Sequence, residues 1–270
     1  IKMKKIILAT LSSIVILSSC KKEVTPADPV QEPSATTRFV FKQYFDGKEI
    51  TSSDFGTIKY KNAKGTNMSI TKLQYLISDI TLHKTDGTDV HLGGYNLVDV
   101  AQPLTRFYQS EISAPLGSYY AVSITFGFDG DDNVDGAYKD LNAASWSWPM
   151  MIGGGYHFMK FEGMFTDKTG NNKGFAYHNG TASKPKNGKR EFEENHFRVK
   201  LFDFRGGFQI EEGDDQTIAI NMNIEEWFKN PIVWSLDDFH AMLMPNYTAQ
   251  KMINQNGRSV FSLGVIGDTF

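Results

Sequence analysis

Apolar and polar residues alternate along most of the chain with a period of two. The clearest stretch is Tyr119–Phe128, where Tyr120, Val122, Ile124, Phe126 and Phe128 fall on one face. Tyr119, Ala121, Ser123, Thr125 and Gly127 fall on the other, which predicts a strand buried on one side. Ile218, Ile220, Met222 and Ile224 repeat the pattern, with Ala219, Asn221 and Asn223 between them. His196–Phe202 sets Phe197, Val199 and Leu201 against His196, Arg198 and Lys200. Less regular strands are predicted at Arg38–Phe45, Leu73–Lys84, Asn96–Val100, Gly155–Phe165, Phe175–His178 and Val260–Val265, parted by turns such as Thr85-Asp86-Gly87. Helical signals are short and late. They are one turn at Asn223–Phe228, a capped segment from Ser235 stopped by Pro245, and Thr248–Asn256 closed by Gly257. About nine or ten strands with three short helices predict an all-β fold, a mainly antiparallel β-sandwich or barrel with its few helices near the C-terminus.

The start of the chain breaks this pattern. Met3-Lys4-Lys5 is basic, and the twelve residues Ile6–Leu17 form an apolar core too short to span a bilayer. Leu17-Ser18-Ser19-Cys20 then resembles the bacterial lipoprotein box, cleaved just before its cysteine. The plainer reading is an ordinary signal peptide followed by a chance cysteine. On the lipoprotein reading, residues 1–19 are the signal and Cys20 carries the lipid. Residues 20–37, with Pro26, Pro29 and Pro33, are a flexible tether, and residues 38–270 are a single β domain. Two or three acyl chains would hold the protein stably at the outer membrane, on its periplasmic face or at the cell surface. Cys20 is the one cysteine in the sequence, so acylation removes disulfides, zinc–thiolate sites and a cysteine nucleophile from consideration. Losing Lys2, Lys4 and Lys5 with the signal takes the formal net charge from −3 to −6. An acidic domain argues against a nucleic-acid partner. The 40% hydrophobic content and 24 glycines fit a globular, turn-rich fold and exclude collagen-like, coiled-coil and disordered chains.

Catalytic signatures are missing: there is no Gly-x-Ser-x-Gly elbow, no His-Glu-x-x-His and no phosphate or dinucleotide loop. The protein is therefore read as a binder, not an enzyme. Asp131-x-Asn133-x-Asp135-Gly136 matches the first half of an EF-hand-type calcium loop, whose alternate oxygens converge on a hard cation. Its twelfth position, Asn142, lacks the bidentate carboxylate, so a polar Asp-Gly turn stands beside the calcium reading. Beyond the loop come Trp146-Ser147-Trp148, then Gly155-Tyr156-His157-Phe158-Met159-Lys160-Phe161-Glu162-Gly163, then Phe175-Ala176-Tyr177-His178-Asn179-Gly180. Taken singly, such aromatics are core or a sugar-stacking surface, and His178 is a hydrogen-bonded structural residue or a ligand. Strand alternation predicts that His157 and Met159 share a face, an imidazole and a thioether that both suit copper.

In order along the chain, these segments resemble the methanobactin-associated MbnP-like copper-binding proteins, including their Bacteroidetes lipoprotein members. Leu73–Ile80, Tyr95–Asp99, Ile124–Gly127, Asp131–Leu141, Ile218–Ile224 and Glu226-Trp227-Phe228 extend the likeness over about residues 38–266. The resemblance implies a secreted or periplasmic β-rich protein that binds copper. In some members a tryptophan is oxidised to kynurenine by a di-haem peroxidase of the MauG type, and the product helps form the site. Carried over, His178 matches the family's histidine, Trp146 and Trp148 its tryptophan pair, and His157 joins them on chemistry alone. The six residues Pro149–Gly154 lengthen the gap between the pair and Gly155-Tyr156 relative to the family pattern. The alternative is a surface lipoprotein that recognises a glycan or peptide beside an outer-membrane import system, with a TonB-dependent transporter as partner.

Overall fold

The structure, a computed structural model, describes residues 33–213 and 216–267; the predicted signal, Cys20 and most of the tether lie outside them. The principal strands are Thr37–Phe45 (β1), Lys72–Lys84 (β2), Asp89–Asp99 (β3), Gly117–Phe126 (β4), Met159–Thr166 (β5), Asn172–Asn179 (β6), Phe197–Phe202 (β7), Phe208–Ile210 (β8), Gln216–Asn223 (β9) and Phe261–Ile266 (β10). In the nine-stranded sheet the order runs β7-β4-β2-β5, with β3 also on β2, β6 on β5 and β8 beyond β7 on β4. A five-stranded sheet is built on β10-β9-β1. Within it β9 and β1 pair in parallel, Ile218 opposite Phe39. The two sheets face each other across one apolar core: Phe39, Phe41, Ile220 and Met222 from the smaller meet Leu73, Tyr75, Ile77 and Phe126 from the larger. Phe41 meets Tyr75 edge-on at 6.4 Å between ring centroids, and Phe126 lies 5.8 Å from Phe261. Each such ring removed from water contributes about 2–3 kcal/mol, so the inward positions dominate the energetics. The all-β sandwich expected from the alternation is the fold that forms.

Local departures have local causes. Ser34–Ala35 already pairs with Ala114–Pro115, and Thr37 is fully buried, so the folded body includes the four residues before Arg38. In β4 the pairing with β2 shifts register between Tyr119 and Ala121. That bulge sends Tyr119 into the core, stacked at 5.7 Å on Phe208, and turns Tyr120 outward, reversing the faces expected for both. Ser235 starts a turn and no helix: Asp238 and Phe239 both donate to its carbonyl before the chain leaves. The predicted C-terminal helix forms as Tyr247–Gly257, capped by the Asn246 side chain on the Ala249 amide. A short helix at Lys139–Ala143 had no signal in the pattern.

Candidate metal centre

Residues Trp146–Trp148 run antiparallel to Gly155–His157. Ser147 bridges Tyr156, the Trp148 amide donates to the Gly155 carbonyl, and the His157 amide donates to the Trp146 carbonyl. Pro149–Gly154 is the loop of this small hairpin, so the extra residues extend a tip and leave the tryptophans in place. His157 therefore lies in the hairpin and not in β5, which begins at Met159. Strand alternation does not reach it. Met159 enters the sandwich core, while the His157 ring stands beside the outward face, correcting the expectation that the two share a face. On that outward face, Lys160 pairs directly with His178 across β5 and β6, and Glu162 sits one step on along β5.

The three segments converge on one point. The His157 and His178 ring centroids are 5.5 Å apart at 78°, with Trp148 4.9 Å and Trp146 5.7 Å from His157. Both indoles are 1% exposed. Trp148 lies flat over Gly180, where a Cβ would stand 2.5 Å from the ring. Gln250, from the C-terminal helix, receives the Asn179 side chain and the Gly180 amide, and donates to the His178 carbonyl. That buried network fixes the end of β6 from behind.

Hydrogen bonding sets the tautomers. The His157 Nδ1 lies 3.0 Å from the Trp146 carbonyl, and a carbonyl only accepts, so Nδ1 carries the proton and Nε2 the free lone pair. His178 Nε2 lies 2.9 Å from Glu162 Oε1. Burial opposes ionisation of Glu162, but Lys72 at 3.1 Å and His178 outweigh it and hold the carboxyl below its ordinary range. The carboxylate thus accepts from Nε2–H and leaves Nδ1 of His178 free. Burial, reinforced by the Lys160 charge, pushes His157 down to about 3, and burial also lowers His178 against the pull of Glu162. Both imidazoles are neutral at physiological pH and present one lone pair each, as a metal requires. Lys160 donates to the Ser145 carbonyl and holds its ammonium 4.7 Å above the Trp146 ring. The Trp146 indole N–H is buried without a partner.

The acidic loop has other employment. Asn133 Oδ1 accepts from the Tyr156 amide at 2.8 Å, and Asp135 Oδ1 from the Gly155 amide at 2.7 Å. Gly154 and Gly155 have φ of +65° and +79°, and a Cβ on either would collide with Asp135 or Asn133, which is why glycine is required there. Asn142 accepts from the Tyr156 hydroxyl and donates to the Gly136 carbonyl. Asp131, Asn133 and Asp135 therefore do not form a calcium cage: the oxygens of the last two clamp the hairpin that carries the tryptophans, and Asp131 faces solvent. Among the described residues, the group of three carboxylates whose oxygens lie within 4.8 Å of one another is Asp79, Asp129 and Asp132. Burial and these two neighbours raise Asp79.

Glu162, Lys160, Lys72 and Gln250 escaped the sequence reading. For Glu162 a signal was present, since its spacing from Lys160 puts both on one strand face, but the partner strand that brings His178 there is set by register. The remaining histidines serve elsewhere. His83 is bonded through Nδ1 to Asp89 at 2.5 Å and through Nε2 to Ser123 at 2.7 Å, and His91 Nδ1 meets Thr81.

What the geometry defines is a β-sandwich that carries two neutral, tautomer-fixed histidines walled by buried tryptophans at one end of its larger sheet. The MbnP family profile matches residues 34–244, and the chain belongs to the MbnP family. Among solved structures it is similar to MbnP from Methylosinus trichosporium, at 14% identity and a TM-score of 0.55, over 86% of this chain and 98% of that one. At that identity the likeness concerns the fold. A comparison with curated protein sequences finds no match.

Proposed function

We propose that this protein captures and holds copper at His157 and His178, outside the cytoplasm and anchored through Cys20. The observation that carries the reading is the pair itself: two imidazoles from separate segments, 5.5 Å apart, each with one nitrogen locked by a fixed acceptor. Imidazole suits copper in both oxidation states, and the family is named for a copper-acquisition system. The donor set fits, with Nε2 of His157 and Nδ1 of His178 as first ligands. An intact indole adds none, because its nitrogen lone pair belongs to the ring and its N–H only donates.

Oxidation of a tryptophan to kynurenine would add an aniline nitrogen and a carbonyl oxygen. Two equivalents of a peroxide supply the two oxygens that cleave the indole C2–C3 bond, each reduced to water; hydrolysis then releases formate. A haem peroxidase is the class of partner that would handle the oxidant. Of the two candidates, Trp148 is the one that reacts. Withdrawing an electron from Trp146 would place a positive charge 4.7 Å below the Lys160 ammonium, whereas Trp148 borders the neutral His157. The 1% exposure of both indoles also removes the stacking platform on which a glycan-binding reading relied.

Titration with copper against a chromophoric chelator tests the site: affinity should fall sharply in His178→Ala and less in His157→Ala. Intact-mass and peptide analysis of host-purified protein tests the modification, expected as about 4 Da added at Trp148. Affinity indifferent to both histidines would remove the site. Unmodified tryptophans in host material would remove only the oxidation step.

A further inference from the structure

Opposite the outward-turned Tyr120, the strand that pairs with β4 is interrupted between β7 and β8 by residues 203–207. The Asp203 amide donates to the Tyr120 carbonyl, and Arg205 bonds both Asp203 and the Gly264 carbonyl of β10. These bonds brace a protruding loop whose tip is Phe204, 91% exposed. Val265, at 55%, lines a shallow surface hollow with Phe204, and Phe202, at 50%, lies two residues before it against Tyr120, so exposed apolar side chains stand at the edges of both sheets. Lys200 holds its ammonium 6.0 Å from the Phe202 ring centroid, and the Arg205 charge is paired with Asp203. Solvent-facing phenylalanine on a braced loop has no role in the core, and an exposed apolar tip with a lysine beside it suits a lipid headgroup region.

The register says where this tip lies. The Pro33 carbonyl accepts from the Leu116 amide, so the chain leaves towards Cys20 only about 13 Å along β4 from Tyr120, at about 3.3 Å per residue. In the smaller sheet, Thr37 pairs with Gln216 and Ile266 with Ile218, which puts the start of β1 and the end of β10 at that same end. Twelve residues lie between Cys20 and Pro33, thirteen steps that reach about 40 Å when extended at about 3.1 Å per residue. The histidine pair lies at the other end of β4, since Leu76 joins the Phe158 carbonyl to the Gly127 amide there.

We infer that the Phe204 loop, with Phe202 and Val265, rests on the lipid surface to which Cys20 is anchored and turns the His157–His178 face towards the aqueous phase. This rests on the anchored reading of Cys20, and the test separates the two. Acylation leaves no other thiol in the chain, so Phe204→Cys and Val134→Cys each offer one site for an environment-sensitive fluorophore. Position 134 is exposed and lies in the loop beyond the far end of β4. The labelled acylated chains would be reconstituted into phosphatidylethanolamine–phosphatidylglycerol vesicles and floated. The inference predicts that both float, that the label at 204 shifts to the blue and is quenched by nitroxide-headgroup lipid, and that the label at 134 does neither. Flotation with both labels equally wet would overturn the docking surface and leave the anchor standing. Failure to float would overturn both. A label at 204 dry in native membranes but wet in protein-free vesicles would assign the tip to a protein and overturn the lipid assignment.

Discussion

Glu162 is the residue whose removal tells most about how the histidine pair is held. It fixes the His178 tautomer and carries the charge that Lys72 balances. Glu162→Gln keeps an acceptor but loses the charge, so copper affinity should drop roughly 10-fold while the fold persists. Competition titration checks this, and an unchanged affinity would show that His178 needs no such support. His157 makes a separate prediction about acid. Its proton affinity is low in the folded chain, near 3, against 6.5 when exposed, so the unfolded chain binds the proton first. The metal-free protein should keep this contribution above about pH 6.5 and lose it as pH falls towards 3, at most about 1.4 kcal/mol per pH unit for one proton. Urea unfolding at a series of pH values should show a shallower acid limb in His157→Gln than in the parent. Identical limbs would mean that His157 is already solvated.

Among the elements, the hairpin Trp146–His157 depends on side chains from a loop that lies earlier in the chain. Asp135→Ala and Asn133→Ala each strip an acceptor from a backbone amide, which should cost about 1–3 kcal/mol and lower the melting temperature. Calcium chelators should leave that temperature unchanged; a fall on chelation, abolished in Asp135→Ala, would restore the cation reading. This loop also marks the limit of what the pattern could tell. Its Asp-x-Asn-x-Asp-Gly spacing is common to a cation loop and a backbone clamp, and only the arrival of Gly154-Gly155 decides between them. The strands were legible because alternation is local: β4, β7 and β9 were anticipated to within a few residues. The bulge at Tyr120 was not, because a register shift is negotiated with β2 and leaves no trace in composition. Trp146, Trp148 and His178 could be picked out by their order along the chain, and His157 by the chemistry of its side chain. Lys160 and Glu162 could not, since their meeting with His178 is a fact of β5–β6 pairing.

At the scale of the whole molecule, the sandwich provides two unlike ends. One carries Pro33 and the start of β4, and the other carries the histidines, with the length of β4 between them. The C-terminal helix couples the second end to the core through Gln250, which has polar partners on both sides of His178 and Gly180. Gln250→Leu should therefore loosen the histidine end as well as destabilise the fold, seen as faster amide exchange at His178–Gly180 than at Ile218–Met222. Equal exchange in both segments would make Gln250 a general stability residue. The central claim is that His157 and His178 hold copper in the protein as the cell makes it. Metal analysis of host-purified protein beside its His157→Ala/His178→Ala variant tests this most directly. About one copper per chain is expected in the parent, with a near-complete loss in the folded variant. Copper retained equally by both, or absent from the parent when the host is grown with copper, would contradict it.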